Sequence, residues 1–85
     1  MAIRLEIVTP EASVLKEDVD EVVAPGAMGQ FDVLPGHTTL LAELEKGAVT
    51  YVKGGQAKSV IISGGFAEVK EDHMIILADG LADNA

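Results

Sequence analysis

The sequence contains no cysteine, so it has neither a disulfide framework nor a thiolate metal site to draw on, a composition compatible with a reducing compartment. Basic residues are scarce: 6 Lys and Arg stand against 14 Asp and Glu, for a formal net charge of -8. A chain this acidic repels phosphate backbones, and its few cations are scattered rather than clustered, which argues against nucleic acid as a partner. Long apolar runs are missing as well. The opening "MAIRLEIVTPE" meets acid and proline before a secretory apolar segment can form, and no run approaches the length of a membrane span. A soluble protein without direct membrane insertion is expected. Internal repeats and low-complexity tracts are also lacking.

What is present suits a single domain over residues 1–85, with Asp79–Ala85 as a tail or the start of a linker. The 85 residues are 48% hydrophobic, enough for one core. A domain of this size buries only roughly 60–65% of its unfolded surface, which leaves it marginal and apt to lean on a partner. Strand-length segments alternate with turn signals along the whole chain. In "AIRLEIVT", Ile3, Leu5 and Ile7 alternate with Arg4 and Glu6, the period of a half-buried strand, and Thr9-Pro10 ends it. "EDVDEVVAPG" sets Val19, Val22 and Val23 among Glu17, Asp18, Asp20 and Glu21, carboxylates that lack the spacing and turn glycine of a calcium loop and are read as a solvated strand face. Gly54-Gly55 separates two β-branched runs as a hairpin turn, and Glu71-Asp72 marks a second hairpin.

One stretch conflicts with its neighbours. "TTLLAELEKG" places Leu40, Leu41 and Leu44 at helical spacing, with Gly47 where a helix would cap. The strand signals on both sides argue that tertiary context overrides this preference, so the segment is read as strand. The expected fold is therefore all-β: a small two-sheet, mainly antiparallel sandwich.

Catalytic chemistry finds little support. His37, His73, Asp32 and Asp72 carry the right groups for metal binding or acid-base work, but their spacing matches no ligand pattern. "GAMGQ" and "GGQAK" do not run from a strand into a helix ending in Lys-Ser/Thr, so neither is a phosphate cradle, and no serine sits in a nucleophile elbow. No cofactor and no metal are expected. His37, after the stiff Pro35-Gly36 turn and before Thr38, Thr39, Leu40, Leu41 and Ala42, fits a protein-contact surface better than an active site.

Three motifs in register, "LPGHTTLL", "VIISGGFAEV" and "MIILAD", resemble the epsilon subunit of the bacterial and chloroplast rotary ATP synthase, in its amino-terminal β-sandwich domain. The resemblance covers nearly the whole chain. It implies a non-catalytic rotor part at the foot of the central stalk, on the cytoplasmic face of the bacterial plasma membrane, that links the gamma subunit to the c-ring and supports coupling of proton or sodium flow to ATP synthesis. Carried over by position, Thr9, His37, Thr38, Thr39, Leu40, Leu41 and Ala42 face gamma, and Met28, Gly29 and Gln30 face the ring. Relatives often carry an acid where Gln30 stands, so the resemblance does not carry over a charge pairing with the ring at this position, where a neutral amide can still hydrogen-bond. The family continues into a carboxy-terminal helical hairpin that carries inhibition of ATP hydrolysis and, in some members, ATP binding. This sequence ends at "ADGLADNA" with no arginine after Arg4, so the hairpin is expected to be absent and ATP binding is not expected. Two other readings compete with the rotor part: a free-standing sandwich adaptor for an unrelated protein, and a small enzyme using His37 and His73.

Overall fold

The computed structural model describes residues 2–82, which form nine strands and, among the described residues, no helix. In chain order they are β1 (Ile3–Val8), β2 (Ser13–Val19), β3 (Glu21–Ala24), β4 (Phe31–Val33), β5 (Leu40–Leu44), β6 (Gly47–Lys53), β7 (Gln56–Ile62), β8 (Gly65–Lys70) and β9 (His73–Ala78). One sheet has the order β2-β1-β9-β8-β5 and the other β4-β3-β6-β7. Every neighbouring pair is antiparallel except β1 with β9, which runs parallel from Arg4 beside His73 to Val8 beside Leu77. The all-β, mainly antiparallel sandwich read from the sequence is the fold observed.

Its core follows from the period of two. Ile3, Leu5 and Ile7 of β1, Ala67 and Val69 of β8, and Met74, Ile76 and Ala78 of β9 point inward from the five-stranded sheet. Val22, Ala24, Val33, Val49, Tyr51 and Ile62 meet them from the four-stranded sheet, and together these residues form one cluster.

Three links close the sandwich at its corners. The sequence reads "EDVDEVVAPG" as one strand, but the structure breaks it at Asp20: β2 belongs to the five-stranded sheet and β3 to the other. Asp20 donates its backbone N–H to the Val52 carbonyl at 2.7 Å and its carboxylate accepts the Gly54 N–H at 3.0 Å, which swings the chain across to β6. Buried Val19 and Val22 are three residues apart, an odd interval that no single strand accommodates on one face. A second link is the bridge between Gly26 and Leu44. The third joins Ile62 to Leu81, where Ala82 donates to the Ile61 carbonyl and Ser63 donates from both N–H and hydroxyl to the Gly80 carbonyl. The segment expected to begin a tail at Asp79 thus runs hydrogen-bonded along the end of β7 as far as Ala82, and the rest of that expectation lies outside the described residues.

Both hairpin turns sit where the sequence places them. Gly54 (φ 59°) and Gly55 (φ 81°) join the paired Lys53 and Gln56, and Glu71 (φ 51°) and Asp72 (φ 60°) join the paired Lys70 and His73. Two successive left-handed residues are the geometry whose twist matches the flanking strands. The ambiguous "TTLLAELEKG" resolves as β5, with Leu40 opposite Val69 and Leu44 opposite Gly65. Pairing with β8 and burial of Leu44 outweigh the local helix preference.

Candidate partner-binding surface

The loop from Pro25 to Gln30 leaves β3 and folds over the free edge of β5. Ala27 donates to the Glu43 carbonyl at 2.8 Å and Glu45 donates to the Pro25 carbonyl at 2.9 Å, so the loop is bonded to the opposite sheet. Beyond these ties, Gly29 closes a tight turn by donating to the Gly26 carbonyl at 3.0 Å, and Met28 and Gln30 project from it, Met28 with its side chain fully exposed. A well-anchored base with a protruding apolar tip is a common way to present a contact residue.

At the start of β5 stands the Pro35-Gly36-His37 turn, tied to the β8–β9 turn. His37 donates its backbone N–H to the Leu34 carbonyl at 3.1 Å, and its Nδ1 lies 2.7 Å from the Thr38 carbonyl oxygen. A carbonyl only accepts, so Nδ1 is the donor of this bond. The ring is committed to holding the turn, and Thr38 and Thr39 remain exposed beside it. Between the two loops lies an open groove of about 640 Å³, floored by Leu40–Glu43 and walled by Met28, Gln30, Phe31 and His37.

Residues that the resemblance divides between two partners therefore line one groove. Met28, Gly29 and Gln30 form its loop wall, and His37, Leu40, Leu41 and Ala42 its floor and opposite wall. Thr9 is not among them. Its neighbour Val8 aligns with Leu77, Phe66 and Glu43 at the opposite end of the five-stranded sheet from His37. Thr9 is buried: its hydroxyl donates to the Ala12 carbonyl at 3.1 Å and accepts the Ala12 N–H at 3.2 Å, pinning the turn into β2. Within β5 the side chains alternate as well. Leu41 is 73% exposed, whereas Ala42 lies on the face of buried Leu44.

Sequence reasoning missed a second part of this surface. On the outer face of the five-stranded sheet, Leu41 aligns with Glu68 and Ile75, and Glu43 with Phe66 and Leu77. Phe66 and Leu77 are each more than half exposed. The signal was legible in the alternation of "GFAEVK" and "HMIILA", where Phe66, Ile75 and Leu77 occupy positions that a solvated face would fill with polar residues. An apolar patch continuous with the groove marks a contact surface. The two histidines, by contrast, serve separate structural bonds: His73 Nε2 is 2.9 Å from Glu6 Oε1 across β9 and β1. Among the described residues, no group of three His, Cys, Asp or Glu side chains is arranged to hold a metal ion, and no helix is long and apolar enough to cross a membrane.

Comparison with known proteins gives this surface a context. Residues 2–83 match the family model described as ATP synthase, Delta/Epsilon chain, beta-sandwich domain. The chain is 48% identical over 77 residues to ATP synthase epsilon chain 2 of Syntrophotalea carbinolica, covering 91% of this chain and 56% of that protein. Against the ATP synthase epsilon chain of Anaeromyxobacter sp. the identity is 49% over 79 residues, covering 93% of this chain and 60% of the relative. The chain therefore spans a little over half the length of the curated relatives it matches. In the Euglena gracilis mitochondrial ATP synthase, solved as OSCP/F1/c-ring in a rotational state, one chain superposes with a TM-score of 0.89 at 26% identity, covering 95% of this chain and 52% of that one.

Proposed function

The chain belongs to the ATP synthase delta/epsilon-chain β-sandwich family, and from that premise we propose that it works as a non-catalytic part of the rotary ATP synthase's central stalk. It joins the gamma subunit to the c-ring at the cytoplasmic face of a bacterial plasma membrane. The single observation that carries this reading is the exposed Leu41 on the edge strand β5, continuous on one side with the groove and on the other with Phe66, Ile75 and Leu77. A rigid sandwich that leaves such a patch uncovered has an apolar face to bury against a partner.

Within this reading His37, Thr38, Thr39 and Leu40–Ala42 contact gamma, and the Met28-Gly29-Gln30 turn contacts the polar loops of the ring. Thr9 contributes by holding the β1–β2 turn, since its hydroxyl is occupied by Ala12. No step of bond making or breaking is assigned to the chain. Its work is mechanical: a stiff joint transmits torque without yielding.

The test is capture of the gamma subunit from the same organism by the immobilised chain, with Leu41→Glu alongside. The parent should bind, and Leu41→Glu should lose affinity about tenfold or more, because it sets a charge in an apolar contact. Gln30→Ala should bind gamma like the parent but be retained less well on a gamma–c-ring assembly. A parent chain that ignores gamma would end this reading.

A further inference from the structure

We propose that Asp72 is the positioning residue of the gamma-facing turn, an assignment that rests on the reading of residues 37–42 given above. The Asp72 carboxylate Oδ1 accepts the Gly36 N–H at 2.7 Å, joining two turns that lie 36 positions apart in the sequence. The same residue's backbone carbonyl accepts the Arg4 N–H at 2.9 Å. Asp72 thus sits at a junction of three segments: the β8–β9 hairpin, the first residues of β1, and the Pro35-Gly36-His37 turn.

The conformation of the hairpin serves this contact. Glu71 and Asp72 both adopt left-handed φ values, 51° and 60°, which cost side-chain-bearing residues energy, least for Asn and Asp. A glycine would relieve that cost in the turn, but would bring no acceptor for Gly36. Gly36 is itself left-handed, at φ 87°, and this turns its N–H toward Asp72. Of the bonds that hold the turn, the one from His37 to Leu34 and the one from the His37 ring to Thr38 stay inside the loop. The bond from Gly36 leaves the loop and reaches the body of the five-stranded sheet. Without it the turn keeps its shape but loses its fixed angle to β5, and with that the placement of His37 and Thr38 relative to Leu41. An ionised acceptor makes the tie stronger than a neutral one would.

Two variants separate positioning from folding. Asp72→Gly removes the carboxylate while easing the backbone, and Asp72→Asn keeps a side-chain oxygen that can accept the Gly36 N–H and tolerates the left-handed conformation. The measurements are affinity for the gamma subunit and hydrogen exchange of the Gly36 amide, with the melting temperature as a fold control. Asp72→Gly should exchange the Gly36 amide about tenfold faster and bind gamma about tenfold more weakly while melting like the parent, and Asp72→Asn should restore both to within about threefold. Gamma binding by Asp72→Gly at the parent's affinity would overturn the assignment. So would an Asp72→Asn variant that fails as fully as Asp72→Gly. If the parent itself does not bind gamma, the reading of the face falls and the positioning role with it, and the Gly36 amide then reports only whether the tie forms.

Discussion

The Lys53 ammonium lies 2.9 Å from the Glu17 carboxylate, so the last residue of β6 is clamped to β2 across the two sheets. Next to this pair, Asp20 caps the Gly54 N–H. Residues that look in sequence like an undifferentiated acidic stretch thus make directed contacts: Glu17 with Lys53, Asp18 with Arg4 at 3.2 Å, and Asp20 with the β6–β7 turn. Glu21 is the exception, because it faces Asp32 of β4 and gains a second carboxyl instead of a cation.

These contacts give opposite dependences on pH. The hydrogen bond and charge of Lys53 hold the Glu17 carboxyl below its ordinary range, so its contribution is present above the ordinary glutamate value and is lost as pH falls through the lowered one. Asp32 holds Glu21 above its ordinary range, so the favourable state of that pair is complete below the ordinary value and is lost as pH rises through the raised one. At neutral pH, Glu17→Gln should lower the melting temperature slightly and Glu21→Gln should raise it slightly. Both differences should shrink on acidification and in high salt, as checked by thermal melts across the carboxylate range.

Gly65 should tolerate no side chain. Its φ is 143°, and a Cβ there would overlap the Leu77 carbonyl oxygen and come within 2.9 Å of the Ala78 Cα. Both are backbone atoms that cannot rotate away. Gly65→Ala should cost more than about 2 kcal/mol in urea unfolding, at the upper end of ordinary substitutions.

Two adjacent residues of β9 should behave in opposite ways. Ile76 is wholly buried in the shared core, and Ile76→Ala should cost about 2–5 kcal/mol. Leu77 points outward, so Leu77→Ser should stay within about 1 kcal/mol of the parent in stability yet weaken capture of gamma severalfold. Equal gamma binding by Leu77→Ser and the parent would exclude the outer face of β8 and β9 from the contact.

Much of the fold was legible because alternation is a local property. Ile3, Leu5 and Ile7 declare the inner face of β1 without reference to anything else, and Gly54-Gly55 declares its hairpin. β5 was legible only through its surroundings, since its own residues favour helix. The break at Asp20 went unread because what turns the chain there is the Val52 carbonyl and the Gly54 amide, more than 30 positions away by the 34-residue separation of the Asp20–Gly54 bond. The same holds for the site. The protruding Met28-Gly29-Gln30 turn and the His37 turn could be picked out separately, but their meeting across β5 depends on the Gly26–Leu44 bridge. Thr9 was grouped with them by resemblance, and its burial at the other end of the sheet follows from strand order, which no local pattern encodes.

The parallel pairing of β1 with β9 also sets the timing of folding. Arg4 aligns with His73, and β9 lies between β1 and β8 at the centre of its sheet. During synthesis β1 emerges early and then waits for a neighbour made much later, so β2 and β1 have no central strand to build on until β9 is out. Closing so long a loop before any of its contacts are gained is costly, and topologies rich in distant pairings fold slowly, typically in milliseconds to seconds. The β1–β2 and β6–β7 hairpins pair strands that follow one another in the chain and need no such closure. The five-stranded half, which carries the outward apolar face, assembles only after β9 has been made.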